Sequence, residues 1–108
     1  MEDKIIMEFV KEVSSKTGKH IKSIILFGSR VKNTYKPYSD YDFLIVLDQR
    51  KHNIINKIYD EVVNFLLNYE VDISLKIYSK RDYLEKFSLG TPFMEEIKKH
   101  GKVIWNQK

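Results

Sequence analysis

The stretch "FGSRVKNTYKPYSDYDFLIV", residues 27–46, raises the question on which the interpretation of this chain depends. A short apolar run ends at Gly28-Ser29, a polar loop follows, and two aspartates, Asp40 and Asp42, stand at the start of a second apolar run. Carboxylates that lie so close together repel each other, and burial makes the repulsion worse. Either the pair belongs to a turn in solvent, or a cation occupies the space between the two side chains.

Size and composition are those of one packed domain that covers all 108 residues, of which 43% are hydrophobic and 31% charged. No apolar stretch approaches the roughly 18 residues that a membrane span needs. The amino-terminal segment lacks a signal-peptide pattern, so a cytoplasmic location is expected. The chain has no cysteine, which excludes disulfides and thiolate metal sites. A net charge of +4 is a mild basic bias rather than the clustered stripe of a nucleic-acid binder.

Hydrophobic periodicity predicts alternating helices and strands. Apolar side chains at helical spacing predict helices over residues 3–16 and 52–68. Continuous apolar runs predict strands over residues 23–27 and 42–47, the second covered on both faces. Residues 71–78 alternate between apolar and polar, which predicts a strand with one face on the core and one face open.

Turn-forming residues separate these segments. Gly18 is expected to end the first helix as its C-cap. A short helix or turn is expected over residues 29–34, and a tyrosine-rich loop that contains Pro37 over residues 35–41. These segments are connections between the predicted helices and strands.

The carboxy-terminal part predicts two more helices and a strand. Residues 79–87 start with a capping-box pattern, and Thr91-Pro92 supplies an N-cap followed by proline at the first helical position. Gly101 ends the second helix, and residues 102–105 close the chain as a short edge strand. The fold class is therefore α/β (α+β), with a single mixed sheet of about four strands and helices packed against it.

Three aspartates are candidates for metal binding. Asp40 and Asp42 are two positions apart, so at the entry of an extended strand both side chains leave the same side. Asp72 projects from the open face of the alternating strand. If the two strands are neighbours, three carboxylates converge on one patch of the sheet, where a divalent metal would relieve their repulsion. Magnesium suits such an oxygen-only set.

The junction after the first strand is a candidate phosphate site. Gly28 and Ser29 stand where a buried strand passes into a short helix, and such a junction offers backbone N–H groups to an anion. Arg30, Lys32 and Lys36 add positive charge to the same loop. A phosphate cradle beside a metal site indicates phosphoryl or nucleotidyl transfer.

Taken together, these residues resemble the signature of the polymerase-β-like nucleotidyltransferase superfamily. Gly28-Ser29, ten residues, and then Asp40-Tyr41-Asp42 are followed by a third acid on a later strand. More narrowly, "GSR…SDYDFLIV", "VDIS" and "EEIKKHGKVIW" resemble the minimal nucleotidyltransferase (MNT-domain) proteins over nearly the whole chain. The nucleotidyltransferase fold is what this resemblance implies.

The chain departs from the family pattern in the loop after the first strand. The family sequence there is more often Gly-Ser-Arg-Ala-Arg-Gly, whereas Val31, Lys32 and Asn33 occupy the last three places here. Lys32 keeps the charge without the arginine fork. Asn33 tolerates a left-handed backbone, so the turn is expected to persist. The three acids are intact.

The resemblance also implies catalytic roles. Asp40 and Asp42 would each bind magnesium and together bridge two ions. Asp72 would complete the shell of one ion and help to deprotonate the attacking hydroxyl. Gly28 and Ser29 would hold the β- and γ-phosphates of a nucleoside triphosphate.

The remaining loop residues have less specific roles. Arg30 is a candidate triphosphate contact, with a surface salt bridge as the alternative. Ser39 is expected to cap or orient the aspartate loop first and to contact nucleotide second. Tyr35, Tyr38 and Tyr41 have the chemistry to stack on a base, but ordinary loop tyrosines are the favoured interpretation.

For the function, the resemblance implies a magnesium-dependent protein adenylyltransferase. Members of this family act as antitoxins that transfer AMP from ATP to a tyrosine of a HEPN-type ribonuclease toxin, so a HEPN-type protein is the implied partner. Two alternatives stay open. One is a non-catalytic module that neutralises the partner by binding it, and the other is a nucleotidyltransferase for small molecules of the aminoglycoside type. Direct nucleic-acid binding is a distant third, since the acidic face repels phosphate without metal.

Overall fold

The computed structural model describes residues 3–32, 36 and 39–107. The helices and strands follow one another as α1 (Lys4–Thr17), β1 (Ile21–Phe27), α2 (Ser29–Lys32), β2 (Tyr41–Leu47), α3 (His52–Tyr69), β3 (Ile73–Ser79), α4 (Lys80–Leu89), α5 (Pro92–His100) and β4 (Lys102–Asn106). This order of helices and strands is the one that hydrophobic periodicity predicts. Among the described residues, no helix combines the length and the apolar character that crossing a membrane requires.

The four strands form one mixed sheet in the order β3-β2-β1-β4. β1 runs antiparallel to both β2 and β4, whereas β3 runs parallel to β2. A parallel pair needs a crossover connection, and α3 supplies it. The predicted fold class, a mixed sheet with helices packed against it, is confirmed.

Helices cover both faces of the sheet. On one face α1 and α3 pack against the sheet, and the Phe9 ring lies 4.8 Å from that of Phe43 and 5.5 Å from that of Phe65. On the other face Ile97 of α5 packs against a second group of buried side chains, which includes Leu44. β2 is therefore buried on both faces, as its continuous apolar run predicts.

Side-chain caps fix the start of several helices. Ser79 Oγ accepts a hydrogen bond from the Asp82 N–H (3.1 Å), and Thr91 Oγ1 accepts one from the Met94 N–H (3.3 Å). Both caps were expected from the sequence. Gly18 is the C-cap of α1, as expected; its φ of −55° is right-handed, and the chain continues into a 3₁₀ turn, Gly18–His20.

The predicted loop over residues 35–41 is described only in part. Asn33, Tyr35, Pro37 and Tyr38 lie outside the described residues. Tyr41 belongs to β2 rather than to the loop, because its ring is buried in the core at 4% exposure.

Candidate active site

Three strand ends meet at one edge of the sheet. Because β1 is antiparallel to β2 and β3 is parallel to it, the end of β1 lies beside the starts of β2 and β3. Phe27 pairs with Asp42, and Asp42 pairs with Ser74 on the next strand. The loop that begins at Gly28 and the residues that precede β2 and β3 therefore share this edge, which we call the acidic edge.

The acidic edge brings the backbones of the three predicted aspartates together. The Tyr41 N–H donates to the Asp72 carbonyl oxygen (3.0 Å), which places Asp72 next to the link between Asp40 and Tyr41. Tyr41 and Phe43 pack in the core with α1 and α3, so Asp42 between them faces the other side of the sheet. Asp40 and Asp72 are exposed, and Asp42 is half-buried.

Gly28 is in direct contact with Asp42. Its φ of +81° lies in the left-handed region, and a Cβ at this position would stand 2.3 Å from Asp42 Oδ2 and 3.1 Å from Asp42 Cγ. The missing side chain therefore makes room for the carboxylate. The sequence pattern predicts glycine here for the approach of a phosphate, and the structure adds this second reason.

The environment of Asp42 disfavours its charge. Burial in the first place, and the charge of Asp40 in the second, raise the pKa of Asp42 above its usual value of 3.8. This environment would favour a bound metal ion.

The carboxylates of Asp40, Asp42 and Asp72 are oxygen donors of the kind that bind divalent metal ions. No described residue forms a hydrogen bond or ion pair with the side chain of Asp40, Asp42 or Asp72. The carboxylate oxygens are thus free of described partners, and oxygen is the ligand that magnesium prefers. Within residues 3–32, 36 and 39–107, however, no group of three or more His, Cys, Asp or Glu side chains is already gathered around one point. A bound cation would have to draw these side chains together.

The predicted phosphate loop forms a single turn of helix. The N–H groups of Val31 and Lys32 donate to the Gly28 carbonyl oxygen (3.2 and 3.4 Å). The Ser29 N–H has no acceptor among the described residues, so it is available to an anion. The Lys32 ammonium pairs with Glu96 of α5, and this hydrogen bond lowers the pKa of Glu96. That ion pair ties the loop to α5.

Arg30 and Ser39 form contacts that stabilise the segment just before Asp40. The Arg30 side chain is only 7% exposed, and its guanidinium carbon lies 4.0 Å from the centroid of the Tyr41 ring. Arg30 Nη2 donates to the Ser39 carbonyl oxygen (2.8 Å), and Ser39 Oγ accepts from the Lys36 N–H (2.8 Å). These contacts support the loop. A contact of Arg30 or Ser39 with nucleotide stays a prediction.

Tyr41 does not have the setting of a base-stacking residue. Its ring is buried, and its hydroxyl donates to Asp3 Oδ2 (2.8 Å). The tyrosine therefore links the amino terminus of α1 to β2.

The sequence pattern did not single out two residues beside the acidic edge. One is Phe93, whose ring packs edge-to-face on Phe27 at 5.3 Å between centroids. Lys76 Nζ lies 6.0 Å from the centroid of the same ring. The alternation that places Asp72 on the open face also places Lys76 there, so a signal for the lysine was present. No sequence signal brings α5 to this place.

A family model described as "Nucleotidyltransferase domain" matches residues 6–103. The chain belongs to this family. The predicted enzyme class, nucleotidyltransferase, and the resemblance on which it was based are confirmed. The match also includes all three aspartates and the loop that begins at Gly28.

Sequence and fold similarity to individual proteins is consistent with this family. The chain is 35% identical over 104 residues to a Methanocaldococcus jannaschii protein that carries the name "putative protein adenylyltransferase", with 96% of this chain and 98% of that protein covered. The fold is similar to a toxin-antitoxin crystallised with AMP-PNP (TM-score 0.61, 18% identity, 94% of this chain and 73% of the other). It is also similar to the spectinomycin adenyltransferase of Enterococcus faecialis crystallised with ATP and spectinomycin (TM-score 0.66, 18% identity, 99% and 57%).

Proposed function

We propose that this protein is a magnesium-dependent protein adenylyltransferase that acts as an antitoxin. It transfers AMP from ATP to a tyrosine of a partner protein, a ribonuclease toxin of the HEPN type. The observation that carries the proposal is the arrangement of Asp42, whose carboxylate lies against Gly28 and next to Asp40 at the edge where Asp72 precedes β3. An acidic group of this kind beside a phosphate-binding turn suits nucleotidyl transfer.

In the proposed reaction, each part of the acidic edge has a separate role. The tyrosine oxygen attacks the α-phosphorus, the bond from that phosphorus to the bridging oxygen breaks, and pyrophosphate leaves. Asp72, exposed just before β3, accepts the hydroxyl proton and passes it to solvent. Ser29 and the turn at Gly28 hold the outer phosphates through N–H and hydroxyl donors. Two magnesium ions, held by Asp40, Asp42 and Asp72, would supply neutralisation of phosphate charge when bound.

The comparisons favour a protein as the acceptor. The relative at 35% identity matches over nearly its full length and is named for protein adenylylation. One structural neighbour was crystallised as a toxin-antitoxin with an ATP analogue. Transfer to a protein partner is therefore favoured over transfer to a small molecule, although a spectinomycin adenyltransferase shares the fold.

Intact-mass spectrometry tests the proposal. The protein is incubated with the product of its neighbouring gene, ATP and magnesium, and both chains are weighed. We expect the partner to gain one or more AMP units, with the modified residue a tyrosine. Asp42→Asn should abolish the gain, whereas Asp60→Asn, which removes an exposed carboxylate from α3, should leave it intact.

Two results would contradict the proposal. A partner that stays unmodified while Asp42→Asn still neutralises its toxicity would establish a non-catalytic binding module. Transfer of AMP to free spectinomycin without any protein partner would establish a small-molecule enzyme instead.

A further inference from the structure

The first turn of α5 forms a wall beside the acidic edge. Phe27 of β1 and Lys76 of β3 lie on opposite sides of β2. The Phe93 ring centroid lies 5.3 Å from that of Phe27 and 6.0 Å from Lys76 Nζ. Phe27 pairs with Asp42, and Leu44 pairs with Lys76. The Phe93 ring therefore packs on the face of the sheet that carries Asp42. A ligand held by Asp42 would lie on the same face as this ring.

Lys76 places a positive charge at this wall. It stands on the same face of the sheet as Asp42, because its pairing partner Leu44 lies two positions along β2 from Asp42. The lysine is exposed and forms no ion pair with any described carboxylate. Other cations near the acidic edge are already engaged: Lys32 pairs with Glu96, and Arg30 donates to the Ser39 carbonyl.

We propose that Lys76 binds the phosphate oxygens of the bound nucleoside triphosphate from the β3 side of the site, with Phe93 positioning the lysine side chain. This inference rests on the proposed function, since it needs a nucleotide at the acidic edge. A triphosphate that approaches three carboxylates needs positive charge beyond that of the metal ions, and an ammonium is a compact phosphate ligand with three donors. The Phe93 ring face attracts the ammonium and limits where it moves.

Calorimetric titration with magnesium and the non-hydrolysable analogue AMP-PNP tests the inference. Lys76→Met should weaken binding by at least about tenfold, because it removes a charge-assisted hydrogen bond. Lys76→Arg keeps the charge and should retain most of the affinity. Lys86→Met is the matched control: it removes the same charge from an exposed position in the last turn of α4 and should leave the affinity within about twofold of wild type. Phe93→Leu should weaken binding less than Lys76→Met does.

The possible results separate this inference from the proposed function. Wild-type binding that is unchanged in Lys76→Met, or that falls equally in Lys86→Met, would overturn the role of Lys76 alone. A wild-type protein that binds no magnesium–nucleotide complex would overturn the proposed function and this inference with it. Circular dichroism of each variant verifies that a loss of affinity is not a loss of fold.

Discussion

Asp42 combines two properties that are costly for folding. It is a carboxylate beside another carboxylate, and it is half-buried against the backbone of Gly28. An unpaired charge in such a place destabilises the folded chain, and a functional site often accounts for its retention. The predictions at the residue scale follow from this cost.

Gly28→Ala tests the contact between glycine and carboxylate. An alanine at φ +81° costs on the order of 1–2 kcal/mol of unfolding free energy, and its Cβ would also push Asp42 out of place. AMP transfer should fall by about a hundredfold, since small displacements of reacting groups are costly. Urea unfolding and transfer assays measure the two effects.

Gly90→Ala provides the matched control for that substitution. Gly90 has a φ of +66°, but nothing lies within 4 Å of the position where a Cβ would be. This variant should lose a similar amount of stability and keep its activity. Equal activity of the two alanine variants would show that the Gly28 contact does not position Asp42.

Asp42→Asn should make the metal-free protein more stable while it abolishes transfer. Because the pKa of Asp42 is raised in the folded state, the ionised form costs stability above that pKa, and the cost disappears as pH falls through it. The amide removes the charge at similar volume, and we expect a gain of about 0.5 kcal/mol at neutral pH.

Urea unfolding in EDTA measures this gain. The difference between wild type and Asp42→Asn should shrink as the pH is lowered toward 3.8, the usual pKa of an aspartate. Asp60→Asn, on exposed α3 surface, should show no comparable gain. An Asp42→Asn variant that is less stable than wild type at neutral pH would contradict the account of this residue.

At the scale of elements, an ion pair joins α1 to α3. Glu61 is buried at 3% exposure, and its carboxylate pairs with the Lys16 ammonium, which is half-exposed. The pair holds the two helices that cover one face of the sheet. Removing Lys16 would leave a charged carboxylate buried, whereas removing the charge of Glu61 would leave an ammonium that can reach solvent.

Lys16→Met should therefore cost more stability than Glu61→Gln. The first substitution leaves a buried carboxylate without its partner and should lower the unfolding free energy by about 1–3 kcal/mol. The second lets the lysine turn to solvent and should lower it by less than about 1 kcal/mol. Lys11→Met, an exposed position on α1, controls for the lost charge. Chemical denaturation that shows the reverse order would contradict the assignment of Glu61 as the buried partner.

The helices and strands were largely predictable because their signals are local. Apolar spacing defines α1 and α3, and the cap at Thr91 is fixed by residues three positions apart. The 3₁₀ turn Gly18–His20 was not predictable, because it depends on where β1 must begin. Glu61 was not predictable either, since a glutamate on a helix gives no local sign that it is buried.

At the scale of the whole molecule, the site depends on strand pairing. Alternation along the chain predicts that Asp40 and Asp42 share a side, and that Asp72 joins them if the two strands are neighbours. Only the parallel pairing of β2 with β3 places Asp72 beside Tyr41. Contacts between residues distant in sequence, such as Phe93 with Phe27, depend on packing and leave no pattern in the chain.

Ligand binding at this edge should stabilise the whole fold, because the residues proposed to hold the ligand lie at the ends of three strands. Magnesium with AMP-PNP at about a hundred times its Kd adds about 2.7 kcal/mol, which raises Tm on the order of 10 °C for a chain of this size. AMP-PNP in EDTA should produce little shift, and Asp42→Asn should abolish it. A shift of the same size without metal would contradict a metal-dependent site.

The most direct test of the central claim locates the metal itself. Crystals grown with Mn²⁺ and AMP-PNP give an anomalous signal that marks each ion. We predict at least one peak within about 2.5 Å of oxygens from Asp40, Asp42 and Asp72, with the nucleotide phosphates on the same ion. A bound nucleotide with no peak there, and with the three carboxylates still apart, would contradict the account.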